Sequence, residues 1–143
     1  MGVVVDTSAL IALERRSRSA KPSGDEWEDL LGEVAAEPVA FPAIVIAEAL
    51  VGVHLADTLT RATARRNRIT DLAARFPVVP FDLSIAEVWS QLFATLAKAG
   101  QTIPANDLAV AATAVYLGFS VLAGPDDEKH FRRIAGLGVK ILK

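Results

Sequence analysis

The chain opens almost at once on Val3-Val4-Val5-Asp6-Thr7-Ser8, and no other stretch constrains the fold as much. Three β-branched residues in a row favour a short buried strand, because their stiff side chains pack well on a pleated surface. The strand runs into a carboxylate, two hydroxyl residues and the apolar run Ala9-Leu10-Ile11-Ala12-Leu13. That order reads as strand, tight turn, helix. Ligands of open α/β sheets sit just beyond the carboxyl ends of the strands, so Asp6 stands where chemistry is expected. Asp6, Thr7 or Ser8 could equally cap the next helix by accepting hydrogen bonds from its free amides.

The 143 residues suit one domain, 1–143, with a substantial core. Hydrophobic residues make up 52% and mean hydropathy is +0.35, which argues against disorder. The absence of cysteine excludes disulfides, thiolate zinc sites and thiol nucleophiles, and fits a reducing cytoplasm. No basic and apolar export segment precedes the first strand. Residues 108–125 carry no charge and approach the length of a membrane span. Gly118 interrupts them, alanines dilute them and Gly124-Pro125 closes them, so a buried helix and strand in a soluble cytoplasmic protein are expected.

Fifteen basic and 17 acidic side chains leave a net charge of −2, which is not the balance of a general nucleic-acid binder. Gathering four carboxylates into one metal site would leave the remaining surface slightly positive. Basic residues cluster at Arg15, Arg16, Arg18 and Lys21, at Arg61, Arg65, Arg66 and Arg68, and at Lys129, Arg132 and Arg133. Any one cluster reads first as a solvated helix face.

After the first short helix, Arg15 to Pro22 reads as loop, and Ser23-Gly24-Asp25-Glu26 has capping-box spacing. Trp27, Leu30, Leu31 and Val34 share one helical face, and Pro38 ends that helix. Val39-Ala40-Phe41 forms a second strand, and Pro42 suits the first turn of an apolar helix over 43–54 with Glu48 in its middle. A helix over about 57–75 turns Leu59, Ala62, Ile69, Leu72 and Phe76 inward. Val78-Val79-Pro80-Phe81 reads as an edge strand. Ser84-Ile85-Ala86-Glu87 is a second capping box, opening a helix with Ile85, Val88, Trp89, Leu92, Phe93 and Leu96 on one face and Gly100 at its end. Pro104 begins a helix with Asp107 in its first turn and a stop at Gly118. A strand over 119–123, a short helix from Asp126 to about Ala135 and a strand over 139–142 complete the chain. Strands alternating with helices imply an α/β fold, a mostly parallel sheet of about five short strands covered on both faces.

No glycine-rich phosphate loop follows the first strand. His54 and His130 lack the spacing of a zinc pair and read as surface or packing residues, and neither gives Ser8 an evident triad. Carboxylates remain, at Asp6, Glu48, Asp107, Asp126 and Asp127. A charge inside an apolar helix, as at Glu48, is costly to bury unpaired. Asp107, Asp126 and Asp127 could each simply favour a helix N-terminus, worth about 0.3–1 kcal/mol. The loops after the first and fourth strands meet if those strands are neighbours, and carboxylates gathered there would repel without a cation. Oxygen-only ligation suits Mg²⁺ or Mn²⁺, which clamp phosphodiester oxygens and activate water.

Four segments carry a resemblance: Val-Val-Asp-Thr-Ser-Ala-Leu at 4–10, Ile-Ala-Glu-Ala-Leu at 46–50, Asn-Asp-Leu-Ala-Val-Ala-Ala-Thr-Ala at 106–114 and Asp-Glu-Lys-His-Phe-Arg-Arg-Ile at 127–134. Together and in this order the chain resembles the PIN-domain ribonucleases, and more narrowly the VapC toxins of bacterial toxin–antitoxin pairs. The resemblance implies a three-layer α/β/α fold and a Mg²⁺ or Mn²⁺ site. Asp6 and Asp107 would be principal ligands, Glu48 a ligand or proton acceptor, and Asp127 the fourth acid. Thr7 and Ser8 would support them by hydrogen bonding. Asp126 is an alternative fourth acid, because many relatives carry a threonine just before theirs and this chain reads Ala123-Gly124-Pro125-Asp126-Asp127. Cleavage of tRNA or ribosomal RNA, a cognate antitoxin and a homodimer are also implied. Arg15, Arg16, Arg132 and Arg133 are the candidate RNA contacts. Two rivals stand beside this reading: a phosphoacceptor signalling domain using Asp82, and a non-catalytic interaction module.

Overall fold

A computed structural model describes residues 1–17 and 26–142. Arg18, Lys21 and the Ser23–Asp25 portion of the first capping box lie outside the described residues. The sheet has five strands: β1 (Val3–Val5), β2 (Val39–Pro42), β3 (Val78–Val79), β4 (Ser120–Ala123) and β5 (Val139–Ile141). Their order is β3-β2-β1-β4-β5 and every pair is parallel. Val3, Val4 and Val5 are all 0% exposed. Successive strand residues point to opposite faces, so burial of all three requires a layer on each side of the sheet. This is the three-layer α/β/α arrangement.

Strand order reverses at β1, which has β2 on one side and β4 on the other, in register Val5 to Leu122. A crevice at the carboxyl ends of β1 and β4 is the usual consequence. The covering helices are α1 (Thr7–Ser17), α2 (Glu26–Leu31), α3 (Ala43–His54), α4 (Leu59–Arg75), α5 (Leu83–Lys98), α6 (Ala105–Leu117) and α7 (Glu128–Phe131). Leu10 and Leu13 of α1, Val45 of α3, Val110, Ala111 and Ala114 of α6, and Phe131 of α7 join the strands in one core. Among the described residues no helix is long and apolar enough to cross a membrane. The uncharged stretch 108–125 is instead divided between α6 and β4.

Several elements differ from expectation. α1 continues to Ser17, so Arg15 and Arg16 are its last turn and not loop, where cations complement the helix dipole. α2 gives way at Gly32, whose φ of +62° cannot continue an α-helix, and Val34 lies in a 3-10 turn over Gly32–Ala36. Pro42 is the last residue of β2 and the N-cap of α3. Leu59 is 82% exposed rather than inward. β3 stops at Val79, because Pro80 has no N–H to extend a ladder. Asp82, not Ser84, caps α5, its Oδ1 accepting the Ile85 N–H at 3.0 Å. Phe119 is taken up in ending α6, its N–H donating to Ala114 O after Gly118 at φ +71°, so β4 begins one residue later. Arg133, Ile134 and Leu137 turn by i, i+3 bonds, which leaves α7 only four residues long.

Candidate active site

Asp6 follows β1 directly and is 1% exposed. Its N–H donates to Leu122 O of β4 at 2.9 Å and its carbonyl accepts the Leu10 N–H at 3.0 Å, fixing its backbone between strand and helix. Ser8 donates to Asp6 Oδ2 twice, from Oγ at 2.6 Å and from the backbone N–H at 3.2 Å. The same Ser8 Oγ accepts the Gly124 N–H at 2.9 Å, tying the ends of β1 and β4 together. A Cβ at Gly124 would meet Ser8 Cβ at 3.2 Å, so the close approach favours glycine. Asp6 Oδ1, by contrast, is buried with no hydrogen-bond partner. The cap reading therefore accounts for one carboxylate oxygen and leaves the other unexplained.

Three further carboxylates reach the same crevice from other elements. Glu48 stands half-buried on α3, and Thr7 Oγ1 donates to its Oε1 at 2.7 Å. Asp107, in the first turn of α6, accepts a hydrogen bond from His130 Nδ1 at 2.6 Å. Asp127 immediately precedes α7, with Oδ1 4.0 Å from His130 Nδ1. One donor atom each from Asp107, Asp127 and His130 lie within 4.8 Å of one another. Asp126 is exposed, and Asp126, Asp6 and Glu48 all stand outside this group of three.

The electrostatics follow from that crowding. Burial, and then the charges of Asp107 and Asp127, push the Asp6 carboxyl up to about 6 in spite of the Ser8 hydrogen bonds. Burial also raises Asp107, reinforced by the charges of Asp127 and Glu48 and opposed by His130. A buried, unpartnered carboxylate oxygen facing two like charges is unfavourable by itself and favourable around a cation. The oxygens of Asp107 and Asp127, with the unpartnered Asp6 Oδ1 buried nearby, fit a divalent cation such as Mg²⁺ or Mn²⁺.

The basic candidates separate. Arg15 lines a cavity of about 270 Å³ together with Glu48 and Arg65. Arg16 faces a different cleft, with Leu122, Lys140 and Leu142. Arg132 pairs with Glu128 at 3.3 Å, and Arg133 donates to Thr102 O at 2.8 Å. Two residues at the site escaped sequence reasoning. His130 reads from sequence as a surface or packing residue, and its position three residues after Asp127 is the one signal against that. Arg65 is one arginine among five on α4, and nothing local distinguishes the one that lines a cavity with Glu48.

The PIN domain family model matches residues 3–137, nearly the whole chain. The chain belongs to the PIN domain family. Ribonuclease VapC1 of Rickettsia felis is 32% identical over 139 residues, covering 97% of this chain and 95% of that protein. The structure of VapBC-5 from Mycobacterium tuberculosis, a member of the VapBC family of toxin–antitoxin systems, superposes with a TM-score of 0.69 at 28% identity, covering 100% of this chain and 99% of that one. VapBC2 from Rickettsia felis, bound to a fragment of promoter DNA, has the same fold, with a TM-score of 0.77 at 19% identity and complete coverage of both chains. The four carboxylates of this PIN domain thus gather where its parallel sheet reverses strand order.

Proposed function

We propose that this protein is an endoribonuclease toxin of the VapC type, cutting structured RNA (tRNA or ribosomal RNA) and neutralised by a cognate antitoxin. The observation that carries the reading is Asp6: buried, its Oδ1 unpartnered, and under the charges of Asp107 and Asp127. Asp6, Asp107 and Asp127 would hold Mg²⁺ or Mn²⁺, with Glu48 as a further ligand or a proton acceptor. When bound, such an ion supplies positive charge at the scissile phosphate and lowers the pKa of attacking water. Ser8 keeps Asp6 Oδ2 occupied and leaves Oδ1 as the oxygen that would take an ion. Thr7 holds Glu48 by Oε1 and leaves Oε2 to take the proton of the attacking water. Arg15 and Arg65, beside Glu48, suit the phosphates flanking the cut.

Partner surfaces are also available. Val51, Leu55 and Leu59 are exposed at the α3–α4 connection, as are Phe81 just before α5 and Leu83 and Phe93 on it. Apolar patches of this kind suit a homodimer contact and an antitoxin. A cytoplasmic site of action is part of the same reading.

The test is cleavage of total tRNA and ribosomal RNA by purified protein, with Mg²⁺ or Mn²⁺ and with EDTA, beside Asp6→Asn and Asp107→Asn. A discrete product confined to metal-loaded wild type is expected. No cleavage, joined to no metal binding by calorimetry, would leave an interaction module as the better account.

A further inference from the structure

His130 is placed unlike a packing or surface histidine. Its ring comes from α7 and its Nδ1 lies 2.6 Å from Asp107 Oδ2 and 4.0 Å from Asp127 Oδ1, between carboxylates that belong to different elements. Its side chain is 20% exposed, close to the 15% of Asp107. The three residues together offer two oxygens and one nitrogen within 4.8 Å of one another. Independently, the buried and unpartnered Oδ1 of Asp6 points to a ligand in the same crevice, since Asp6 feels the charge of both aspartates. An all-oxygen set does not account for an imidazole at this position.

We propose that His130 is a nitrogen ligand of the ion this site takes, so that the site prefers a transition-metal dication such as Mn²⁺ to Mg²⁺. The inference rests on reading the carboxylate cluster as a metal centre. Mg²⁺ is small and hard, takes oxygen donors and retains several waters, and gains little from an imidazole. Transition dications accept imidazole readily, so a nitrogen donor raises their affinity over that of Mg²⁺. The 2.6 Å contact of Nδ1 with Asp107 Oδ2 holds both side chains at the crevice, and with Nδ1 as the ligand the ring would carry its hydrogen on Nε2. His54, the other histidine, is exposed at the last position of α3.

The experiment is electron spin-echo spectroscopy of the Mn²⁺-loaded protein, made with ordinary histidine and with histidine carrying the heavy nitrogen isotope. A bound imidazole gives nitrogen modulation of the Mn²⁺ signal whose frequency changes with the isotope. That result is expected in wild type and in His54→Gln, and its loss in His130→Gln. Calorimetry should show His130→Gln losing on the order of tenfold in Mn²⁺ affinity, with Mg²⁺ affinity nearly unchanged. Mn²⁺ bound without nitrogen modulation in wild type would overturn the proposal and leave His130 as a hydrogen-bond partner of Asp107, the metal centre intact. Failure of Mn²⁺ to bind wild type any better than Asp6→Asn would overturn the metal centre as well. The isotope comparison is made on wild type, so it decides the matter even if His130→Gln folds poorly.

Discussion

Asp6 couples folding to pH through a single side chain. In the metal-free protein its carboxyl holds a proton up to about pH 6, against 3.8 for an ordinary aspartate. The folded state therefore binds more protons than the unfolded one between these values, and stability falls as pH rises from about 4 to about 6. A loss on the order of 2 kcal/mol is expected, fully developed at neutral pH. Asp6→Asn removes the charge while its carbonyl can still accept from Ser8. Thermal melts with EDTA should show the variant several degrees more stable than wild type at pH 7 and equal to it at pH 4. Equal melting at pH 7 would mean the carboxylate is not strained by its neighbours. Saturating Mn²⁺ should reverse the ranking at pH 7, since an ion bound only by the folded protein stabilises it.

At the scale of elements, caps and strand ends carry the next two expectations. Asp82 holds the Ile85 N–H, so Asp82→Ala should cost about 1 kcal/mol by denaturant unfolding and Ser84→Ala only a few tenths. The opposite ranking would restore the capping box read from sequence. Ser8→Ala leaves the Gly124 N–H without its acceptor and deprives Asp6 of one donor, at a cost of about 1–3 kcal/mol in the same measurement. These cases also show what the sequence makes legible. β1, α3 and the Pro104 start of α6 were readable, because β-branching and proline act through local sterics. Ser84 and Asp82 both satisfy the local rule for a cap, and backbone geometry chooses Asp82. The polarity of Arg15 and Arg16 suggests loop, but arginine's helix propensity carries α1 through them. Asp6, Glu48, Asp107, Asp126 and Asp127 stand out in the sequence because each sits near a recognisable element end or on an apolar helix, while the choice of four among them rests on the family resemblance. His130 does not stand out, since its contact with Asp107 spans 23 residues and has no periodicity.

Over the whole molecule, a net charge of −2 conceals a separation of sign. The acids converge on the β1–β4 crevice, while Arg61, Arg65 and Arg68 line a cavity of about 430 Å³ on α4. Arg65 also lines the cavity that holds Glu48 and Arg15, so the basic stripe runs up to the acidic crevice. Arg65 is anchored to Gly52 O at 2.7 Å and Arg61 to Asp57, which fixes the stripe on the α3–α4 hairpin. A polyanion laid along it would set its phosphates against the arginines and one phosphodiester against the metal. Such binding depends on salt, because each phosphate neutralised releases counterions. For wild type, the logarithm of RNA affinity should fall linearly with the logarithm of salt concentration. Arg15→Ala and Arg68→Ala should each flatten that slope by about 0.7–0.9, the amount expected for one phosphate contact, and the double variant by about twice as much. Filter binding in an Asp107→Asn background, for which no cleavage is expected, separates affinity from cleavage, and thermal melts check that the arginine variants remain folded. An unchanged slope in the double variant would make the stripe a solvated helix face, and the RNA would have to approach the crevice from the α7 side, past Arg132 and Arg133.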